Sequence, residues 1–267
     1  MRHPSTTPAQ HRAFLDRAVP LLARDARIAG IAAAGSYAQD RMDAFSDLDL
    51  VLACEAGDFA SLMQDRAALA RQLGPLVAAF TGEHVGEPKL LICLYGPPAL
   101  HVDIKVLALD DLADRVDEPV VLWARDGRMA AAYATATGLF PQPDAQWIEE
   151  RFWVWVHYGA LKIARGELQE ACDFLSYLRV TVLGPLGLQR AGLPPNGVRR
   201  VESDPALARL LAATVGPLER RALVECLQNA IAAYRALRPA VVDPNQHAER
   251  VAMDFLAEVR AGLGDPA

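Results

Sequence analysis

The sequence predicts an α+β fold: a mixed sheet with helices in the N-terminal half, followed by an all-helical domain. Three observations predict it. Between residues 28 and 107 short apolar runs alternate with helical patterns and turn signals. From Trp147 onward apolar residues recur at three- or four-residue spacing instead. Gly138-Leu139-Phe140-Pro141-Gln142-Pro143-Asp144 separates the two regimes as a linker, which divides the chain into domains at 1–137 and 138–267.

In the first half the pattern gives a helix near 8–24, strands near 28–34 and 47–53, and a helix near 58–73 with Asp58 as its N-cap. Strands near 76–82, 89–95 and 100–107 follow. The last two are joined by Gly96-Pro97-Pro98-Ala99 and read as a hairpin. After an acidic stretch (Asp110, Asp111, Asp114, Asp117, Glu118), Val120 to Trp123 reads as a last strand and Asp126-Gly127 as a turn. Strands interleaved with helices make a layered mixed sheet.

In the second half Trp147, Ile148, Phe152, Trp155, Gly159 and Ile163 mark one helical stripe, and Leu168, Cys172, Leu175, Leu178 and Val182 another. Helices near 204–214, 217–238 and 245–262 complete it, with Gly184-Pro185 and Gly192 to Gly197 as interruptions. Trp153, Trp155, His157 and Tyr158 fit core packing better than a stacking platform, because an aromatic stripe on a helix usually faces the interior.

Composition narrows the partners. A net charge of -6 over 267 residues disfavours a protein that grips long nucleic acid by its phosphates. The richest apolar stretch, Ala18 to Ala34, is broken by Arg24, Asp25 and Arg27, so no membrane span is expected. Residues 1–8 lack the apolar region of a secretory signal, and the expected location is cytoplasmic. Cys54, Cys93, Cys172 and Cys226 form no Cys-x-x-Cys and read as reduced, mostly buried thiols.

The chemistry concentrates in Gly35-Ser36 and, ten residues on, Ser46-Asp47-Leu48-Asp49. On a strand Asp47 and Asp49 share one face while Leu48, Leu50 and Leu52 pack on the other. Two like charges in one small site repel unless a cation lies between them, and Mg2+ takes one or two carboxylates plus phosphate oxygens and water. Gly35 suits close approach of backbone to a phosphate, and Ser36 offers its amide and hydroxyl if Ser36 to Asp40 opens a short helix. Either motif alone is an ordinary turn or surface charge; together, between apolar strands, they point to a magnesium–nucleotide site. A third carboxylate belongs on a neighbouring strand. Alternation along His101 to Leu107 puts His101, Asp103 and Lys105 on one face, so Asp103 supplies it unless it simply pairs with Lys105.

Gly35-Ser36, Ser46-Asp47-Leu48-Asp49-Leu50 and Asp103 together resemble the nucleotidyltransferases of the DNA polymerase β superfamily, with a gap length like that of the antibiotic-modifying members. The resemblance covers roughly residues 10–125. It implies that Asp47, Asp49 and Asp103 bind Mg2+ (two ions), that Gly35 and Ser36 bind the nucleotide, and that Asp103 takes the acceptor proton; the residues themselves leave a glutamate of the helical half as an alternative base. Glu149, Glu150, Glu167 and Glu170 are the candidates there. In related enzymes a lysine of the helical domain donates to the triphosphate. Lys162 is placed for that role here, the alternative being a solvated helix face with Arg165, Glu167, Glu170 and Asp173. Ala164-Arg165-Gly166-Glu167-Leu168, with Ala171, Asp173 and Leu175, is similar to a helical region of some lincosamide nucleotidyltransferases.

The expected activity is transfer of a nucleoside monophosphate from an NTP, taken as ATP, to a hydroxyl of an aminoglycoside- or lincosamide-like small molecule, with release of pyrophosphate. That is an antibiotic-resistance reaction, and the reading leaves room for a homodimer. The competing expectations are a non-catalytic nucleotide- or partner-binding module, which the cost of keeping paired carboxylates without a metal disfavours, and transfer to a protein side chain.

Overall fold

Leu48, Leu50, Leu52 and Cys54 face one side of their strand, and Asp49, Val51 and Ala53 face the other; this alternation sets the layers of the N-terminal half. The protein is seen here in a computed structural model that describes residues 2–263. It divides into two units, Met1–Phe140 and Pro141–Ala267. The first contains α1 (Ala9–Leu22), β1 (Ile28–Ala33), α2 (Gly35–Ala38), β2 (Leu48–Cys54), α3 (Ala56–Gln72), β3 (Leu76–Gly82), β4 (Glu87–Tyr95), β5 (Leu100–Ala108), β6 (Val120–Ala124) and α4 (Arg128–Ala134). The second contains α5 (Ala145–Arg165), α6 (Leu168–Leu178), α7 (Gly184–Arg190), α8 (Pro205–Ala212), α9 (Arg220–Leu237) and α10 (Gln246–Gly262). The predicted α+β class is the observed one.

The six strands form one sheet in the order β3-β4-β5-β2-β1-β6. Only β2 and β5 run parallel; every other neighbouring pair is antiparallel, so the sheet is mixed as expected. On one face Leu48, Leu50, Leu52, Val102, Ile104 and Val106 pack against Phe14, Leu15 and Leu22 of α1 and Leu62 and Ala70 of α3. Each fully buried Leu, Ile, Val or Phe side chain contributes about 1.5–3 kcal/mol. On the opposite face Ala29, Ala32, Val51 and Ala53 are covered by Leu109, Leu112 and Met129. That second layer covers only part of the face.

The helical unit is built around α5. Ile148, Phe152, Val156, Ala160 and Ile163 are buried with Leu175 and Leu178 of α6 and Leu227, Ile231 and Tyr234 of α9. Phe152 stacks on Tyr234 at 3.7 Å between ring centroids. Trp153 is core, as expected, whereas Trp155 is half-buried and His157 and Tyr158 are exposed. Glu149 is 1% exposed and fully engaged: Trp153 Nε1, Tyr234 Oη, Arg238 Nη1 and the Asn245 amide donate to it at 2.9, 2.5, 3.1 and 2.9 Å. Burial alone pushes this carboxyl up, and the hydrogen bonds from Tyr234, Trp153, Asn245 and Arg238 outweigh it, leaving Glu149 below the usual carboxylate range. It holds three helical elements together and is not free to serve as an acceptor-side base.

Two local expectations are corrected, and one element was not foreseen. Asp58 is not an N-cap: α3 starts at Ala56, so Asp58 lies inside the first turn, where its charge complements the helix dipole. Gly184-Pro185 does not interrupt the helix. The path runs from α6 through a π-helical turn, Arg179–Leu183, directly into α7, with Pro185 in the first turn of α7. Gly184 permits the close approach of the Gly197 carbonyl, which a side chain there would meet. The helix α4 after the Asp126-Gly127 turn was not foreseen, since Arg128 to Ala134 is too short to show a period.

Candidate functional site

The site begins with register. In the parallel pair β2·β5, Asp49 is opposite Asp103, so the two carboxylates lie on the same face of the sheet on adjacent strands. Asp47 stands one residue before β2 rather than within it, yet its carboxylate joins them. One oxygen from each of Asp47, Asp49 and Asp103 lies within 4.8 Å of the others, and all three residues are half-buried. Three hard oxygen donors at that spacing suit an oxygen-seeking divalent cation such as Mg2+. Asp103 also accepts from His101 Nε2 at 2.9 Å. Lys105 pairs with Glu87 at 2.8 Å.

Above β2 the chain turns at Gly35. Ala34 N donates to Asp49 O at 2.9 Å, and Gly35 adopts φ +58, the left-handed region that glycine enters without penalty. A β-carbon at this position would collide with Asp49 Oδ2, so glycine is required by contact as well as by conformation. The following residue, Ser36, is half-buried, and its hydroxyl oxygen is buried without a hydrogen-bond partner. A buried hydroxyl left unpaired is costly, and it marks a place where an acceptor is expected. α2 begins here, as the short-helix expectation required.

The loop between the two motifs is fixed from the far N-terminus. Asp40, at φ +49, accepts from Thr6 N and Thr6 Oγ1, each at 2.9 Å, and from Ser5 Oγ at 3.0 Å. The Thr6 amide and hydroxyl hold its carboxyl below the usual range. Met42 N donates to Thr6 Oγ1 (3.0 Å), His11 Nε2 donates to Ser46 O (2.7 Å), and Asp43 Oδ1 caps Phe45 N (2.8 Å). Residues 5–11 therefore hold the loop that carries Asp47, which no motif in the sequence announces.

A second unannounced contact comes from the acidic stretch. Asp117 Oδ2 accepts from Gly35 N at 2.9 Å. Its segment is itself anchored by Arg115, which donates to Leu112 O, Tyr133 O and Ala136 O and lies 5.0 Å over the Tyr133 ring. The sequence marks this stretch only as charge; nothing in its spacing points to Gly35.

Lys162 belongs to the helical unit, on α5. Its Nζ lies 2.7 Å from Glu167 Oε2 and 3.0 Å from Glu170 Oε1, and these two hydrogen bonds hold the ammonium above its usual range. Tyr158 Oη also donates to Glu170. Of the glutamates considered as bases, Glu167 and Glu170 are thus engaged by Lys162, and Glu150 pairs with Arg151 at 3.2 Å.

No protein-family model matches this chain, and no curated protein matches it. Among solved structures it is similar to a nucleotidyltransferase-like protein from Exiguobacterium sibiricum 255-15, at 13% identity and a TM-score of 0.38, over 96% of this chain and 89% of that one. At that level of likeness no residue role passes from one chain to the other. Among the described residues no helix is long and apolar enough to cross a membrane.

Proposed function

We propose that the chain is a nucleotidyltransferase that moves a nucleoside monophosphate from an NTP to the hydroxyl of a small molecule and releases pyrophosphate. The observation that carries this reading is the convergence of Asp47, Asp49 and Asp103 within 4.8 Å, beside a glycine turn and an unpartnered serine hydroxyl. Asp47, Asp49 and Asp103 would hold Mg2+, as two ions in this reading. Bound there, Mg2+ supplies positive charge that neutralises the phosphates and lowers the pKa of an attacking hydroxyl.

The chain's own residues do the rest. Ser36 Oγ, lacking a protein partner, donates to a phosphate oxygen, and Gly35 lets the backbone lie close to Asp49 while that phosphate is held. Asp103 lies at the β5 side of the cluster and accepts the hydroxyl proton; the His101 hydrogen bond holds its carboxylate in one orientation. In this reading Lys162 is a nucleotide-binding residue, a phosphate oxygen replacing Glu167 and Glu170 as its partners. Within the proposal the NTP is ATP, the acceptor is an aminoglycoside- or lincosamide-like compound, the setting is cytoplasmic, and a homodimer is compatible with all of it.

The test is release of pyrophosphate from each NTP with Mg2+ across acceptor panels, with mass spectrometry to find the modified product. A gain of one nucleoside monophosphate on a small hydroxyl compound supports the proposal. A gain only on protein, or nucleotide binding without turnover in every panel, contradicts it.

A further inference from the structure

The face that carries the triad does not end at Asp103. Strand register extends the Asp49–Asp103 row outward: Ile92 of β4 is opposite Asp103, and Phe80 of β3 is opposite Ile92. The next row runs from His101 to Leu94 and then Ala78. Paired residues on adjacent strands share a face, so Ile92, Phe80, Leu94 and Ala78 form an apolar shelf on the same side as the carboxylates. It starts one strand from Asp103, about 5 Å away, and extends about another 5 Å to β3.

The shelf is open where the rest of the face is covered. Val51 and Ala53 lie under Leu109, Leu112 and Met129, whereas Phe80 is 55% and Leu94 42% exposed. Its bordering charges are already matched, Asp103 by His101 and Lys105 by Glu87. The shelf itself carries no charge, and a ring is already seated at its margin, His84 lying 5.6 Å from Phe80. Large apolar side chains left bare beside a polar site mark a surface for a ligand's apolar part.

We infer that this shelf is the acceptor's apolar subsite: the molecule that receives the nucleotide is a hydroxyl compound with an uncharged ring or chain about 5–10 Å from the reacting hydroxyl. The inference rests on the transfer reading of the triad. The hydroxyl end lies at Asp103, and the apolar end lies on Ile92 and Phe80. Of the two acceptor classes proposed above this favours the lincosamide-like over the aminoglycoside-like, since a polycation with no apolar face would leave the shelf bare.

The test uses matched alcohols that differ only in an apolar group: methyl against phenyl β-D-glucoside, and ethanol against 2-phenylethanol. Binding to the Mg2+-loaded protein is followed by saturation-transfer NMR and transfer from ATP by pyrophosphate release. The expected preference for the phenyl members is at least about tenfold. Phe80→Thr and Ile92→Thr, which keep strand-compatible residues, reduce it to within about twofold and leave the KM for ATP unchanged. Equal affinity of wild type for both members of each pair overturns the inference. So does a preference that survives both substitutions, or a change of oligomeric state in Phe80→Thr, which would assign the shelf to a second copy of the chain. A phenyl preference seen by NMR and lost in the variants, with no transfer from any NTP, supports the shelf as a ligand site while removing the transfer reading.

Discussion

Asp117 Oδ2 accepts a 2.9 Å hydrogen bond from the amide of Gly35, across 82 residues of sequence. The same glycine has Asp49 Oδ2 where its β-carbon would be, so Asp117 holds from one side the turn that rests on a triad carboxylate from the other. Removing the acceptor leaves a half-buried N–H unpaired, at a cost of about 1–3 kcal/mol. Asp117→Ala is therefore expected to raise the KM for NTP and lower the melting temperature, while Asp117→Asn, which keeps an acceptor oxygen, stays near wild type in both. Steady-state kinetics and thermal melting of the pair check this; identical behaviour of the two variants would show that the bond does not position the turn.

Ser36→Ala removes a hydroxyl that has no partner in the protein, so folding stability should be unchanged or slightly higher. Its predicted contact is to a charged phosphate, and losing such a bond costs about 1.5–3 kcal/mol, roughly ten- to a hundredfold in apparent NTP affinity. Acceptor affinity should move less. NTP titrations at fixed acceptor separate the two, and an unchanged NTP dependence removes Ser36 from the site.

Lys162→Met tests whether Lys162 binds the nucleotide. Weaker NTP affinity with unaltered melting is the expected result. A fall in melting temperature with unchanged NTP affinity would leave Lys162 as the cation that neutralises Glu167 and Glu170.

Glu149 gives a pH-dependent prediction. Its folded pKa is depressed below the ordinary value of 4.5, so its stabilisation is fully present above that value and is lost as pH falls through the folded pKa. Glu149→Ala should cost about 3–5 kcal/mol near neutral pH, because Arg238 and three other donors lose their acceptor in the core. Urea unfolding of wild type and variant should show this difference constant at neutral pH and shrinking in acid below 4.5. A difference that grows on acidification would contradict the assignment of a charged, hydrogen-bonded carboxylate.

Much of the fold was legible because its signals are local. Alternation along residues 48–54 and 100–108 states which face of each strand is buried, and the Gly96 to Ala99 turn joins β4 to β5. Asp49 and Asp103 were legible for the same reason, since side-chain period two puts them on predictable faces and the parallel register sets them opposite, whereas Asp47 lies just before β2, where alternation does not apply. What the sequence withheld depends on pairing between distant segments. Neither Asp117 at Gly35 nor Thr6 at Asp40 has a spacing rule, since each contact exists only after the sheet has ordered the loops around it. The π-helical turn at Arg179–Leu183 was missed because Gly-Pro ordinarily ends a helix, and here Pro185 opens the next one. The open shelf of Phe80, Ile92 and Leu94 likewise emerges only once strand order is known.

The central claim is that Asp47, Asp49 and Asp103 form a divalent-cation site. Asp47→Asn and Asp49→Asn each remove one negative charge from a crowded cluster, so melting in the absence of metal should hold or rise even as transfer is abolished. The most direct measurement is Mn2+ binding by electron paramagnetic resonance, with wild type and Asp49→Asn titrated in the presence of a non-hydrolysable ATP analogue. Wild type should bind Mn2+ in competition with Mg2+, and the variant should bind at least about tenfold more weakly for the lost ligand charge. Equal Mn2+ affinity in the two proteins, or none in wild type, would contradict the account.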